Sequence, residues 1–281
     1  MNASPPSRTV FPESGRAEPG KPVIVGINWV GLQTLYLKEV RRFFKVQLQT
    51  VWAPAITTLL FLAIFTLALG GVKQEVLGVP YASFLAPGLI IMGMVQNAFA
   101  NSSSSLLIAK IQGSIVDVLM PPLSAGELLA SFVAGAVTRA WLVGLAVYAA
   151  MILWPGVSVS IADPLRVLLF GTLGAILLSL LGVLTGIWAD KFDHAAAVTN
   201  FVVQPLTLLS GTFYAIDRLH GVVQGISLSN PFFYLIDGFR SGFIGVAEAN
   251  VWVGLAYVGG LNVVLWGLCY VLLRRGWKLR A

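Results

Sequence analysis

Long uncharged stretches separated by short clusters of charge, glycine and proline set the plan of this chain. No charge falls between Lys45 and Lys73, which predicts a first membrane span at 51–71 that tolerates Pro54 in its first turn. Further spans are predicted at 81–104, 128–154, 167–189, within 195–216, and at 249–273. Each is near the roughly 20 residues that a helix needs to cross a bilayer. Ahead of them, residues 28–49 alternate on a helical period. Lys38, Arg41, Arg42 and Lys45 recur at i, i+3, i+4 and i+7, and Trp29, Leu32, Tyr36, Val40 and Phe43 fall opposite. Such a helix lies in the membrane surface, its basic side toward lipid phosphates and cytosol. A plain solvated face is the alternative, but the opposing aromatics need cover.

Composition turns this pattern into a fold class. With 57% hydrophobic and 11% charged residues, the chain lies far from a soluble domain, in which about a quarter is charged. The expectation is an all-α integral membrane protein in three parts. These are a disordered cytosolic tail (1–22), an amphipathic interfacial helix (23–49) and a six-span transmembrane domain (50–281). The tail holds Pro5, Pro6, Pro12, Pro19 and Pro22 and lacks the apolar core of a signal peptide. Its Gly15, Gly20 and Lys21 fit a phosphate-loop spacing. Pro22 stands where Ser or Thr would hold magnesium, and no strand precedes it, so no ATP site is read there.

The net charge of +6 gathers at the two ends of the chain, which favours membrane topology over nucleic acid. Six spans leave thirteen basic residues on the cytosolic side and four outside (Lys73, Arg166, Arg218 and Arg240). This obeys the positive-inside rule with both termini cytosolic. One cysteine, Cys269, and two histidines, His194 and His220, are too few for a metal centre, and no catalytic or cofactor-binding set is found.

Polar residues inside the spans are the candidates for function. Arg139 sits midway along the third, where a charge costs about 2.5–3.5 kcal/mol on insertion scales. It needs a partner or water, either as a structural pair or along a path for substrate. Asn97 opens a polar run to Ser105 that either lines a conduit or subunit interface or bonds neighbouring helices. Gly182 and Gly186 have the spacing of close helix packing, and Asp193 is placed to cap the fifth helix. Between the second and third spans, 109–124 forms a cytosolic turn. Ile115, Val116, Val118 and Leu119 there require a groove on another molecule unless the turn is a bare loop.

The stretch 201–245 starts as a span and ceases to be one. Asp217 and Arg218 end the uncharged run. His220, Gly221, Gly225, Ser227, Ser229, Asn230 and Pro231 then oppose an unbroken helix. Two readings fit: short helices dipping back from the surface and broken at Asn230 and Pro231, or an ordinary external loop. The order Gly211-Thr212-Phe213-Tyr214, Leu219, Asn230-Pro231-Phe232, Tyr234 and Gly238-Phe239-Arg240 resembles the signature of type-2 ABC exporter permeases. His220 replaces a proline usual after the leucine.

The resemblance covers about 29–279. It implies one permease of a homodimer in the bacterial inner membrane, docked on separate ATPase subunits that bind ATP and magnesium. Asp117 and Pro122, with Ile115 and Leu119, would belong to the turn that couples to the ATPase. Phe213, Tyr214, Asn230, Pro231 and Arg240 would belong to a re-entrant external hairpin before the last span. Asp217, Arg218, Asp237 and Arg240 are expected to pair structurally there. The cargo class implied is amphipathic: lipid, lipid-linked glycan or drug. An ATP-independent secondary transporter or channel is the alternative, but no inverted repeat or paired broken helix is found. A lipid-modifying enzyme would need clustered His, Asp or Glu at one membrane face, and the spans hold almost none.

Overall fold

The computed structural model describes residues 26–69, 75–154, 157, 159–216 and 221–279, without the side chains of 68 and 69. The 1–22 tail, Lys73, Pro155, Asp217, Arg218, Leu219, His220 and Arg280 lie outside the described residues.

Helix α1 (Trp29–Phe44) starts where the Asn28 carboxamide accepts from the Gly31 amide. A π-helical turn (Leu48–Trp52) leads into α2 (Ala53–Leu69), so the first span starts at Leu48, three residues before the expected 51. The wide turn sits directly ahead of Pro54, whose nitrogen has no proton to give the ladder. The loop expected near Glu75 is a minimal antiparallel ribbon, β1 (Glu75–Val76) and β2 (Val79–Pro80). Leu77 and Gly78, both at positive φ, make its turn. This ribbon is the departure from all-α structure.

Helix α3 (Tyr81–Ile111) runs 31 residues, past the expected end at 104. Its polar run is shielded by neighbouring helices, so nothing stops the helix inside the membrane. After Gly113 at φ 72° the chain forms α4 (Ile115–Leu119) and then α5 (Ala125–Ile152). A reciprocal box starts α5: Ser124 Oγ accepts from the Glu127 amide, and the Glu127 carboxylate accepts from the Ser124 amide. Asp163 caps α6 (Pro164–Trp188), with proline in the favoured first position.

The expected fifth span is a shorter helical run made of α7 (Phe192–Val198), a second π turn (Thr199–Val203) and α8 (Gln204–Leu208), joined without a break. Asp193 does not cap α7. The chain is extended at Lys191, which takes the capping place without a side-chain bond, and Asp193 falls in the first turn. Helices α9 (Val222–Ser229) and α10 (Pro231–Ile244) follow, broken at Asn230 and Pro231 as the sequence suggests. Helix α11 (Val251–Arg275) closes at Gly276, φ 65°. Among the described residues, five helices have the length and composition to cross a membrane.

Helix α3 is the axis. Of its most apolar stretch 89% is buried, against 22% for the first span and 17% for α11, so those two present their sides to lipid or to another chain. The main contact of α3 is with α6. Gly182 and Gly186 permit it, since a Cβ on Gly182 would stand 2.5 Å from the Phe99 carbonyl oxygen and one on Gly186 2.7 Å from Leu106 Cβ. Ser102 and Ser179 bridge the same seam at 2.7 Å. These glycines serve packing inside one chain.

Three helix ends meet at one face. Lys110, ending α3, donates to the Ile187 and Ala189 carbonyls and pairs with Asp190 at 3.3 Å. Lys278, beyond α11, donates to the Trp188 carbonyl and pairs with Asp190 at 3.1 Å. At the other end of the bundle, the Ala162 and Asp163 amides donate to the Gly242 carbonyl, and Tyr81 donates to that of Phe213.

Two outcomes are expected. Gly182→Ala lowers stability by about 1–3 kcal/mol through overpacking against a backbone oxygen, read as thermal unfolding in detergent. Hydrogen bonds from Lys278 and then Lys110 hold the Asp190 carboxyl below its ordinary range. Its stabilising contribution is therefore complete above an unfolded value of about 3.9 and lost as pH falls through the lower folded value. Asp190→Asn should melt below the wild type at neutral pH, and the gap should close in acid.

Candidate functional site

The inner face of α1 repeats every four residues, and one of its members is an acid. Leu35, Glu39 and Phe43 are buried, with Glu39 at 0% exposure. Room for Glu39 comes from α5, where a Cβ on Gly135 would lie 2.8 Å from Glu39 Cβ. The carboxylate is fully met. Ser105 donates to Oε1 at 2.8 Å, and Arg42 pairs with Oε2 at 3.1 Å.

Arg42 therefore leaves the basic face to which its spacing assigned it. It donates to the Asn101 carbonyl at 2.9 Å, to Asn101 Oδ1 at 3.0 Å and to Ser104 Oγ at 3.3 Å. Lys38, Arg41 and Lys45 remain exposed as expected. Trp29, placed among the covered aromatics, is 68% exposed. The buried side of α1 is set by Leu35, Glu39 and Phe43, and Trp29 falls outside it.

One turn earlier on α3 the seam continues. Asn97 Oδ1 accepts from Arg139 Nη2 at 2.8 Å, and Asn97 Nδ2 donates to the Gly93 carbonyl at 3.0 Å. The two conduit candidates thus touch each other. Tyr36 and Thr138 close the α1–α5 edge at 3.0 Å. In front of Asn97 lies a cavity of about 310 Å³ between α2 and α3, with Gln49, Thr57, Thr58 and Gln96 in its wall.

Only part of the apolar content of the α4 turn is exposed. Ile115 and Val118 face inward and join Leu35, Leu106 and Leu128 in one apolar cluster. Ile115 is thus not available to a partner, because the i, i+3 side of a five-residue helix is its packing side. Leu119 is half-buried against the same cluster. Val116, Asp117, Met120 and Pro122 are exposed. The Asn28 carboxamide donates to the Pro122 carbonyl at 3.3 Å, and the Asn28 amide donates to Glu127, so the start of α1 is tied to this turn.

At the opposite end, Arg240 is 1% exposed. It pairs with Glu248 at 3.2 Å, donates to the Gly211 carbonyl at 2.6 Å and lies 3.9 Å above the Phe84 ring. Asp237 accepts from the Glu248 and Ala249 amides, both at 2.9 Å. Asn230 caps α10 and donates to the Leu206 carbonyl at 2.7 Å, which fixes the break beside Pro231. Phe213 stacks on Phe65, and Tyr214 donates to the Leu208 carbonyl. These residues hold the α8–α10 corner together through structural bonds.

Sequence reasoning missed Glu39, Asn101 and Glu248. Glu39 carries a visible signal: it is the single acid in a basic helix, with Arg42 at i+3. Among the described residues no three His, Cys, Asp or Glu side chains gather as a metal site.

Comparison with known proteins adds to this geometry. Residues 30–244 match a family described as ABC-2 type transporter. The inner membrane transport permease YadH of Escherichia coli K12 is 36% identical over 255 residues, covering 91% of this chain and 99% of its own length. Nodulation protein J of Rhizobium leguminosarum bv. viciae is 25% identical over 254 residues, 89% of this chain and 95% of that protein.

Glu39→Ala is expected to cost about 1–3 kcal/mol by leaving the half-buried Arg42 without its counter-charge. Glu39→Ala combined with Arg42→Ala should cost less than the sum of the two single changes, measured as a double-mutant cycle in thermal unfolding.

Proposed function

The chain belongs to the ABC-2 type transporter family and is a membrane permease of an ABC transporter, and from that premise we propose that it forms half of a homodimeric exporter driven by a separate ATPase. The family, the apolar helices and the inner-membrane relative make it a multi-pass inner membrane protein and a transporter subunit. ATP and magnesium belong to the ATPase in this reading, and the cargo is amphipathic.

The observation that carries the reading is the exposed side of α4. Val116 is 55% and Met120 75% exposed, with Asp117 between them, on a helix whose other side is anchored in the bundle. Apolar side chains standing out beside a carboxylate suit a groove on the ATPase. Force received there reaches α1 through Asn28, and α1 passes it to α3 and α5 through the Glu39–Arg42 seam.

Six crossings with both ends cytosolic fit the side-chain bonds. Lys110, Asp190 and Lys278 share one face, and Phe213 joins Tyr81 at the other, which supports reading the run from Phe192 to Leu208 as a crossing. At 1.5 Å per residue that run is about 25 Å long, close to a hydrocarbon core of about 30 Å. Helices α9 and α10 begin and end near the second face, as a re-entrant hairpin would. The thirteen-to-four distribution of basic residues favours the Asp190 face as cytosolic.

In mild detergent the tagged permease is expected to copurify with an ABC ATPase and with a second copy of itself, and transport without any ATPase overturns the reading. Asp117→Arg should abolish transport-coupled ATP hydrolysis while membrane insertion stays normal, and intact coupling would remove α4 from that role.

A further inference from the structure

The side of α11 that faces away from the bundle carries a line of exposed residues that ends in a charge. Val263, Gly267, Tyr270 and Arg274 recur at i, i+4, i+7 and i+11, so they share one face of the helix. All four are exposed, Val263 by 73%. Gly267 leaves a hollow in the line, since a Cβ there would meet nothing within 4 Å. Beside it runs a groove of about 280 Å³ between α6 and α11, lined by Ile176, Asn262, Val263 and Trp266. Asn262 Nδ2 donates to the Leu173 and Val258 carbonyls at 3.2 and 3.1 Å, so its amide serves the helices and the rest of the wall is apolar.

The end of the helix decides what such a groove can hold. Lys278 pairs with Asp190 at 3.1 Å, which puts this end of α11 on the Asp190 face. Arg274 and Arg275 are exposed and have no ion pair or side-chain hydrogen bond among the described residues. Lys278 also donates to the Trp188 carbonyl, so Trp188 and Trp277, both about half-exposed, stand at the same level, where aromatic rings meet lipid headgroups. From Val263 to Arg274 the helix is about 16 Å long at 1.5 Å per residue. That is close to half of a hydrocarbon core of about 30 Å, the depth of one leaflet. A chain lying in the groove therefore brings its headgroup to Arg274. An apolar helix packed on the same face would offer that guanidinium no counter-charge, and a lipid phosphate does.

We propose that the groove between α6 and α11 seats a phospholipid of the leaflet on the Asp190 face, with an acyl chain against Ile176, Val263 and Trp266 and a net-anionic headgroup on Arg274. This is a resident lipid on the outside of the bundle, separate from any cargo. The inference goes beyond the permease reading and does not depend on it.

The test titrates the full-length protein in mild detergent with phosphatidylglycerol and with phosphatidylcholine of equal chain length, and reads the affinity of the first bound lipid by native mass spectrometry. Phosphatidylglycerol should bind about fivefold more tightly, the worth of one basic residue at an anionic headgroup. Arg274→Gln should bring the two lipids together. Arg275→Gln, about 100° around the helix from the line, should leave most of the preference in place. Gly267→Leu fills open space, so the chain should fold, and it should weaken both lipids several-fold. Equal binding in the wild type overturns the proposal. A preference that survives Arg274→Gln, or that falls equally with Arg275→Gln, reports surface charge in general and also overturns it. So does Gly267→Leu binding both lipids as the wild type does. Loss of a dimer mass in Arg274→Gln and Gly267→Leu, with lipid binding unchanged, assigns the face to a second copy and removes the lipid. ATPase copurification is scored separately on the same preparations, so the permease reading stands or falls apart from this one.

Discussion

A carboxylate can be buried beside a membrane only if donors surround it, and Glu39 meets that demand with Arg42 and Ser105. Much else depends on this arrangement. It turns a surface helix into a wall of the bundle, because α1 cannot slide without exposing or orphaning the pair. It sets the polar run of α3, since Asn101, Ser104 and Ser105 answer Arg42 and Glu39. It also requires a glycine at 135 on α5, where any side chain would meet Glu39. Three helices far apart in sequence are thereby held in one register.

That register ties two levels of one chain together. At the Asp190 face, α4 offers Val116 and Met120 while Ile115 and Val118 bind it to the core, so a push on the turn is a push on the bundle. Deeper in, the same seam leads through Asn97 to the cavity beside α2. The corner at the opposite end of the bundle is differently made. Arg240, Glu248 and Asp237 use their charges on one another and on backbone groups, leaving a tight cap over α3.

How far the sequence reveals this depends on the kind of force involved. Uncharged length is a direct imprint of the bilayer, so the spans at α2, α5, α6 and α11 and the start of α3 could be read to within a few residues, and the break at Asn230 and Pro231 follows from backbone chemistry. Where a side chain decided the outcome against its own type, reading failed. Arg42 looked like its neighbours Lys38 and Arg41 until a carboxylate three residues earlier drew it inward. Ile115 looked like a contact until its helix turned that side to the core. The pairing of Asn97 with Arg139 joins positions 42 apart, and no local pattern encodes it.

Two helical runs carry a π turn, one at the start of the first span at Leu48–Trp52 and one midway along the run 192–208 at Thr199–Val203. A π turn stores one residue beyond α-helical register, and releasing it turns everything downstream by about 100° around the helix axis. Each of these runs therefore holds a screw motion in reserve, by which a buried stripe and an exposed one could trade places without a break in the backbone ladder.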